Sequence, residues 1–212
     1  MSDRGKFIVF EGIDGSGKST QINLLAENLK KRGIETHKTL EPTYGMVGGV
    51  LHDILSGKVS ADPKVTASLF VADRLDHLLN AEDGVCKCID DGKTVICDRY
   101  YFSSYAYQSV EVPRDWVIAA NRLAAQTLRP DCTIFIDITA EVAMDRISKN
   151  RQNVEIYESL DRLGKVREGY LSAFELMKDE EKIFVIDGNR DPQKIAEEIE
   201  NIVINEVFLG KV

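Results

Sequence analysis

The sequence lacks the features that usually mark membrane proteins and nucleic-acid-binding proteins. It has no apolar run of membrane-spanning length, and its first residues, Met1 to Arg4, carry no apolar signal segment. It also has no basic excess, because 27 lysines and arginines stand against 35 acidic residues, giving a net charge of -8. Since membranes and nucleic acids both attract a basic face, we predict a cytoplasmic protein that binds neither of them.

Cysteine is scarce, and its spacing is wrong for a zinc site. The chain has four cysteines, and Cys86 and Cys88 are separated by a single residue, which is tighter than the usual zinc-binding spacing. No second cysteine pair lies in register with them, and the three histidines are scattered. We therefore expect reduced thiols rather than a metal centre.

Linkers and repeats are absent as well, which predicts one domain over residues 1–212. Apolar, β-branched segments alternate with amphipathic ones, and one further strand candidate, Ile34–Leu40, is weaker because it is polar. The predicted strands are Lys6–Glu11, Ile34–Leu40, Thr94–Cys97, Thr133–Ile138 and Ile183–Ile186. The predicted helices are Lys18–Lys31, Val47–Leu55, Val65–Leu79, Val85–Ile89, Val117–Gln126, Glu141–Lys149 and one that starts at Pro192. This alternation predicts an α/β fold with a five-stranded parallel sheet and helices on both faces.

A glycine-rich motif follows the first predicted strand. The segment FEGIDGSGKST (10–20) matches the phosphate-loop pattern G-x-x-x-x-G-K-[ST], and it lies between a strand and a helix as that motif requires. Backbone N–H groups and the helix N-terminus would face phosphate oxygens, Lys18 would reach the β- and γ-phosphates, and Ser19 would coordinate magnesium. The residues expected to bind ATP here are Gly12, Ile13, Asp14, Gly15, Ser16, Gly17, Lys18, Ser19 and Thr20.

A phosphate loop alone leaves kinases, GTPase switches and ATPase motors open. The sequence lacks the Asn-Lys-x-Asp motif that reads guanine, and a motor usually exceeds this length. A nucleoside monophosphate kinase needs a second anion site and a mobile basic lid. Asp98 and Arg99 follow a predicted strand, where ligands bind in parallel sheets. Asp98 fits a magnesium-binding carboxylate, and the planar fork of Arg99 fits a monophosphate.

Several segments together resemble the thymidylate kinase family, over nearly the whole chain. They are FEGIDGSGKST (10–20), EP (41–42), LFVADR (69–74), DRYYFSSYAYQ (98–108), DRISKNRQNVEIYE (145–158) and VIDGNRDPQKI (185–195). The resemblance implies a P-loop kinase fold with a short lid at about residues 146–157. It also implies a homodimer that uses ATP and Mg²⁺ to phosphorylate thymidine monophosphate (dTMP). Two alternatives stay open: a kinase for another nucleoside monophosphate, and a P-loop regulatory switch without a small-molecule acceptor.

The resemblance also implies roles for individual residues. Phe70 and Arg74 share a helix face, where they would stack on thymine and hydrogen-bond its O4. Periodicity alone makes Phe70 an ordinary core residue. The other implied contacts are Ser104 at the base edge, Tyr107 under the deoxyribose where it crowds a 2′-hydroxyl, Asp14 near the sugar and the acceptor phosphate, Arg99 at that phosphate, and Arg146, Asn189 and Arg190 around adenine.

Two positions lack an arginine that branches of the family carry. One is Gly15 inside the phosphate loop, and the other is Thr43 after Pro42. We therefore predict that binding of the acceptor phosphate depends more on Arg99 and that Tyr44 lines the same pocket. We also predict that Arg151, in the basic segment after the Glu141–Lys149 helix, supplies the positive charge that phosphoryl transfer needs, with Lys149 as the substitute.

Overall fold

The computed structural model describes residues 4–150 and 160–210. Within these residues, five parallel strands form one sheet in the order β2-β3-β1-β4-β5. The strands are β1 (Phe7–Glu11), β2 (Thr36–Leu40), β3 (Thr94–Asp98), β4 (Cys132–Asp137) and β5 (Ile183–Asp187). The predicted parallel sheet is therefore confirmed, and β1 lies at its centre between β3 and β4.

Nine helices of the described residues surround the sheet. They are α1 (Lys18–Lys31), α2 (Met46–Leu55), α3 (Pro63–Leu79), α4 (Val85–Asp90), α5 (Tyr101–Tyr107), α6 (Arg114–Thr127), α7 (Ala140–Asn150), α8 (Leu160–Met177) and α9 (Pro192–Val203). A 3₁₀ turn follows α5 at Gln108–Val110, and a π-helical turn follows α9 at Ile204–Phe208. None of these helices is long and apolar enough to cross a membrane.

The sheet is covered on both faces because successive side chains of each strand point to opposite sides. In β1, Ile8 and Phe10 pack into a cluster with residues of α1 and α9. Phe7 and Val9 pack into the other cluster, which takes residues from α3 to α8. This burial explains why the central strand reads as a continuous apolar run.

Two helices, α5 and α8, are not among the sequence-based predictions. Helix α5 is short and buried along most of its length, so it has no polar face and no helical periodicity to read. Helix α8 does carry a buried stripe with helical spacing, at Leu163, Val166, Tyr170, Ala173 and Phe174. Of the predicted lid, residues 146–150 form the end of α7, and residues 151–157 lie outside the described residues.

Candidate active site

The phosphate loop connects β1 to α1 at the carboxyl end of the sheet. Gly17 precedes the helix with a φ of 98°, and no described side chain caps the first turn of α1. The N–H groups of that turn therefore face the open end of the helix, which favours an anion. A cavity of about 630 Å³ lies there, and its walls include the loop, the start of α1, Arg146 and Arg190.

Lys18 is folded back onto the loop. Its Nζ donates to the carbonyl oxygens of Gly12 at 3.0 Å and Ile13 at 3.4 Å, and it lies 3.9 Å from Oδ1 of Asp98. Burial lowers the pKa of Lys18, as does the charge of Arg99, whereas Asp98 and Asp14 oppose this shift. The ammonium group thus lies against the wall of the loop cavity, among groups of both signs.

Ser19 and Asp98 bring two kinds of oxygen together beside the loop. The Ser19 hydroxyl donates to Oδ2 of Asp98 at a distance of 3.5 Å. Oδ1 of Asp98 is buried and accepts no hydrogen bond from the described residues. Mg²⁺ in nucleotide sites takes oxygen ligands, usually one or two carboxylates together with phosphates and water. A carboxylate oxygen that accepts no hydrogen bond from the described residues, beside a serine hydroxyl, fits that donor set.

Arg99 forms an ion pair with Asp14. Its Nη2 donates to Oδ1 of Asp14 at 2.6 Å and to the Tyr107 hydroxyl at 3.2 Å, and its Cζ lies 4.8 Å from the Tyr107 ring centroid. The Tyr107 hydroxyl in turn donates to Oδ2 of Asp14 at 2.9 Å. Arg99 has a φ of 73°, a conformation that is uncommon outside glycine. Asp14 and Tyr107 therefore hold its guanidinium at one place.

The charge state of Asp14 follows from these contacts. Burial acts to raise the pKa of Asp14, but the charges of Arg99 and Lys18 outweigh it and lower the pKa to about 2. Asp14 is therefore a carboxylate at neutral pH, and it is too weak a base to remove a proton from a substrate. Its chemistry here is that of a counter-ion and hydrogen-bond acceptor.

A second cavity, of about 550 Å³, opens on the other side of Arg99. Asp14 and Arg99 line both cavities. The second one also takes Phe70 and Tyr107 into its wall, and its other lining residues include Pro42, Leu55, Pro63, Thr66 and Ser103. The wall of the first cavity thus contains the phosphate loop, and the wall of the second contains aromatic rings. The ion pair of Asp14 and Arg99 forms part of both walls.

Comparisons with known proteins agree with this geometry. A sequence model of the thymidylate kinase family matches residues 10–199. A protein of Methanocaldococcus jannaschii named a probable thymidylate kinase is 38% identical over 199 residues, which cover 93% of each chain. Proteins named thymidylate kinase from Ligilactobacillus salivarius and Thermoanaerobacter sp. strain X514 are 37% and 40% identical; the matches cover 95% and 94% of this chain and 98% of theirs.

The chain belongs to the thymidylate kinase family. The resemblance read from the sequence and the P-loop kinase fold that it implies are therefore confirmed. Kinases of this family use ATP as the phosphate donor, which agrees with the phosphate loop and its cavity.

Arg74, which the thymidylate kinase resemblance places at thymine, is buried in this structure and does not line the second cavity. Its Nε donates to Oε2 of Glu41 at 2.7 Å, and Nη1 donates to Ser104 at 3.0 Å and to Oδ1 of Asn121. Nη2 donates to the Tyr100 carbonyl at 3.1 Å. One N–H on Nη2 has no partner within the described part of the chain. The thymine contacts of Arg74 and Ser104 stay predictions, and the Glu41 pair is an addition that the sequence does not reveal.

Replacing Arg74 with alanine is expected to lower the free energy of unfolding by about 3–5 kcal/mol, because the buried Glu41 carboxylate loses its guanidinium partner and keeps the contact with the His77 ring. Urea denaturation of the two proteins measures the difference. Arg129→Ala is the matched control, since Arg129 pairs with Glu180 at the surface and its loss is expected to cost under about 1 kcal/mol. An unchanged denaturation midpoint for Arg74→Ala would show that the buried pair does not stabilise the fold.

Tyr44 lies at the rim rather than on the cavity wall. It is 81% exposed, and its ring stacks on that of His52 with 4.8 Å between centroids and 12° between planes. His52 itself lines the second cavity. Thr43, which replaces an arginine, is anchored to Asp73 by its hydroxyl at 2.6 Å and its N–H at 2.8 Å. A contact of Tyr44 with the acceptor substrate stays a prediction.

Of the three residues expected around adenine, Arg146 and Arg190 line the cavity at the phosphate loop and Asn189 does not. Arg146 on α7 donates to the carbonyl oxygens of Ser16 at 3.3 Å and Gly188 at 2.9 Å, so it connects the phosphate loop to the loop after β5. Arg190 lines the loop cavity and pairs with Glu198 at 2.6 Å. Asn189 does not line that cavity, and its side chain donates to Asp187 at 3.0 Å.

Three polar residues beside Arg99 are missing from the sequence-based site. They are Glu11, Ser103 and Tyr170, and all of them are buried. The sequence signal for Glu11 is a carboxylate inside an otherwise apolar strand. No comparable signal exists for Ser103, in a helix that was not predicted, and Tyr170 reads as part of the apolar stripe of α8.

Proposed function

We propose that the protein transfers the γ-phosphate of ATP to dTMP, forming ADP and dTDP. The feature that supports this most is the pair of cavities that meet at Asp14 and Arg99, in a chain of the thymidylate kinase family. ATP would occupy the cavity at the phosphate loop, and dTMP would occupy the one lined by Phe70 and Tyr107. The two reacting phosphates would then meet beside Arg99.

The transfer itself requires no general base. The attacking atom is an oxygen of the acceptor phosphate, which is already an anion near neutral pH. Rate acceleration then rests on alignment of the two phosphates and on stabilisation of the negative charge that spreads during transfer. Arg99 would supply the stabilising positive charge on the acceptor side, and Lys18 would supply it on the donor side.

The donor side would bind ATP with Mg²⁺. The uncapped N–H groups at the start of α1 would receive the β-phosphate, and Lys18 would exchange its loop carbonyl partners for phosphate oxygens. Ser19 and Asp98 would hold the metal ion, which when bound neutralises part of the phosphate charge. Arg146 and the loop that contains Asn189 and Arg190 would lie on either side of the adenine.

The acceptor side would recognise the thymine base and the deoxyribose. Phe70 offers an aromatic face to the base, and the Nη2 N–H of Arg74 that has no partner among the described residues would donate to O4. Tyr107 would lie under the sugar with its ring fixed by the hydroxyl bond to Asp14. A ring held in this way would leave no room for a 2′-hydroxyl, which favours deoxyribonucleotides.

We also propose that this enzyme is a homodimer in the cytoplasm. Exposed apolar side chains occur on α3 and α6, two helices that pack side by side. They are Val65, Leu79, Trp116 and Leu123. Sedimentation should give twice the 23.8 kDa of one chain, and a monomer at micromolar concentration would contradict the dimer.

We propose that Arg151, which lies outside the described residues, supplies a further positive charge that stabilises the transferring phosphate. The loop itself leaves no room for it, because a Cβ at Gly15 would lie 2.9 Å from the Ala143 carbonyl oxygen and 3.1 Å from Ile147. Gly15 also has a φ of 79°, which side chains rarely adopt. An arginine at Gly15 is therefore not expected to fit, and it would not replace the charge of Arg151.

Arg151→Ala is expected to lower kcat by at least about a hundredfold with little change in the KM for dTMP, the pattern of a contact made in the transition state. Steady-state kinetics with varied dTMP measure both constants. Lys149→Ala is the comparison variant. If Lys149→Ala loses turnover and Arg151→Ala keeps it, the charge comes from Lys149; if neither variant changes kcat, the lid proposal is wrong.

Transfer of labelled phosphate tests the function itself. The protein is incubated with Mg²⁺, dTMP and ATP that is labelled at the γ-phosphate, and the nucleotides are separated. Label in dTDP is the expected result. Label in another nucleoside diphosphate, with little in dTDP when acceptors compete, would favour a different acceptor. Binding of ATP without transfer to any acceptor would favour a regulatory switch.

A further inference from the structure

Glu11 ends the central strand immediately before the phosphate loop and is fully buried. Its Oε1 accepts the backbone N–H groups of Tyr100 at 2.9 Å and Ser103 at 3.2 Å. Its Oε2 accepts the hydroxyl of Ser103 at 2.6 Å and that of Tyr170 at 2.8 Å. One carboxylate oxygen thus accepts hydrogen bonds from backbone N–H groups at the start of α5, and the other accepts them from two hydroxyl groups on two different helices.

The same two hydroxyl oxygens also contact Arg99. Nη1 of Arg99 donates to the Ser103 hydroxyl, to the Tyr170 hydroxyl and to the Gly12 carbonyl oxygen, each at 3.2 Å. Because a guanidinium has no acceptor, both oxygens must present a lone pair to it. Each hydroxyl has a single proton, which must therefore point away from Arg99.

Glu11 provides the place for those protons. The Ser103 and Tyr170 oxygens are 2.7 Å apart, so each proton goes to Oε2 of Glu11 directly or through the other hydroxyl. In either arrangement the carboxylate orders the hydroxyls so that Arg99 meets oxygen lone pairs rather than protons. Asp14 and Tyr107 hold Nη2 of the same guanidinium, so the fork of Arg99 is fixed on both prongs.

We propose that Glu11 is a positioning residue that orients Arg99 for the acceptor phosphate through the hydroxyls of Ser103 and Tyr170. This inference rests on the proposed function, because it assumes that Arg99 binds the phosphate of dTMP. Glu11 lines neither cavity and therefore acts through Arg99 rather than on a substrate. Tyr170 extends the arrangement to α8, so the orientation of Arg99 depends on how this helix packs against α5.

The variant Glu11→Gln separates this role from simple burial. Glutamine has the shape of glutamate and keeps one oxygen for the N–H groups of α5. Its amide would face the two hydroxyls as a donor; one hydroxyl can still donate to the other, but at least one proton must then turn toward Arg99. We expect the KM for dTMP to rise by at least about tenfold, the scale of a hydrogen bond to a charged group, while the KM for ATP changes less than about twofold.

A double variant, Ser103→Ala with Tyr170→Phe, removes both hydroxyls and leaves the N–H contacts of Glu11 intact. The KM for dTMP should rise in this protein too, and adding Glu11→Gln should raise it by less than about twofold more, because residues that act through one network are not additive. Fully additive effects on the KM for dTMP would overturn the proposal.

The outcomes distinguish the inference from the function on which it rests. Failure of the unaltered protein to phosphorylate dTMP would reject the proposed function. Normal activity of the unaltered protein, together with an unchanged KM for dTMP in folded Glu11→Gln, would reject the positioning role alone. A rise in both KM values with a lower melting temperature would show a structural role and also reject it. If Glu11→Gln does not fold, the double variant decides by the same two KM values.

Discussion

Lys18→Ala is expected to lower turnover by about a hundredfold to a thousandfold while the protein stays folded, because a preorganised group that stabilises the transition-state charge has an effect of this size. The lysine makes its contacts with loop carbonyls and with the Asp98 carboxylate at the cavity wall, not with the apolar clusters. Burial lowers its pKa, so the fold itself gains little from keeping this ammonium there.

Steady-state rates and circular dichroism melting curves measure both halves of this expectation. Lys31→Ala is the matched control, because Lys31 lies exposed at the other end of the same helix and contacts Asn28. The control should keep nearly all of its activity. Near-normal turnover in a folded Lys18→Ala protein would show that the loop does not act as the donor site.

Arg99→Ala is expected to lower kcat/KM for dTMP by at least about a thousandfold, the effect of removing an arginine from a phosphoryl-transfer site. Two effects act in the same direction. The acceptor phosphate loses its guanidinium, and Asp14 loses the ion-pair partner that contributes most to lowering its pKa to about 2. The KM for ATP should change far less than the KM for dTMP.

Kinetics with each substrate varied in turn test this asymmetry. Arg99→Lys keeps the charge and loses the fork, so its activity should lie between that of Arg99→Ala and that of the unaltered protein. Arg129→Ala, at the surface, is the control for the loss of an arginine. Equal losses for ATP and dTMP, or activity close to normal in Arg99→Ala, would contradict the assignment of Arg99 to the acceptor side.

The pair of Arg99 and Asp14 explains why a carboxylate stands inside a phosphate loop. Asp14 does not face the donor phosphates as an isolated negative charge, because Arg99 and Tyr107 both bind it. It holds the guanidinium in the space between the two cavities before either substrate binds. The carboxylate therefore places an arginine that the loop cannot carry itself, since α7 packs against Gly15.

The fold could be predicted from the sequence where local patterns are strong. All strands of the parallel sheet except the polar β2 are rich in apolar residues, and α1 begins at the lysine of the phosphate loop, as predicted. Helix α5 could not be predicted because burial on all sides removes its amphipathic pattern. Helix α8 carries an apolar stripe with helical spacing, so this helix could have been predicted from the sequence.

The site was less accessible to prediction because its contacts are distant in the sequence. The spacing of Phe70 and Arg74 places both on one face of α3, but it does not reveal Glu41, which approaches from the end of β2 and pairs with the guanidinium. Likewise, Glu11 and Tyr170 are separated by 159 residues and meet only when α8 packs against the sheet. A motif identifies the loop, whereas packing decides what each side chain contacts.

Release of ADP measured with a panel of acceptors tests the central claim most directly. The unaltered protein receives ATP and Mg²⁺ with dTMP, dUMP, dCMP, dGMP, dAMP or the ribonucleotide UMP, each in turn, and without any acceptor. We expect dTMP to stimulate ADP release by at least about a hundredfold over the reaction without acceptor, and more than any other nucleotide of the panel. A rate that no acceptor changes, or one that another nucleotide stimulates more than dTMP does, would contradict the account.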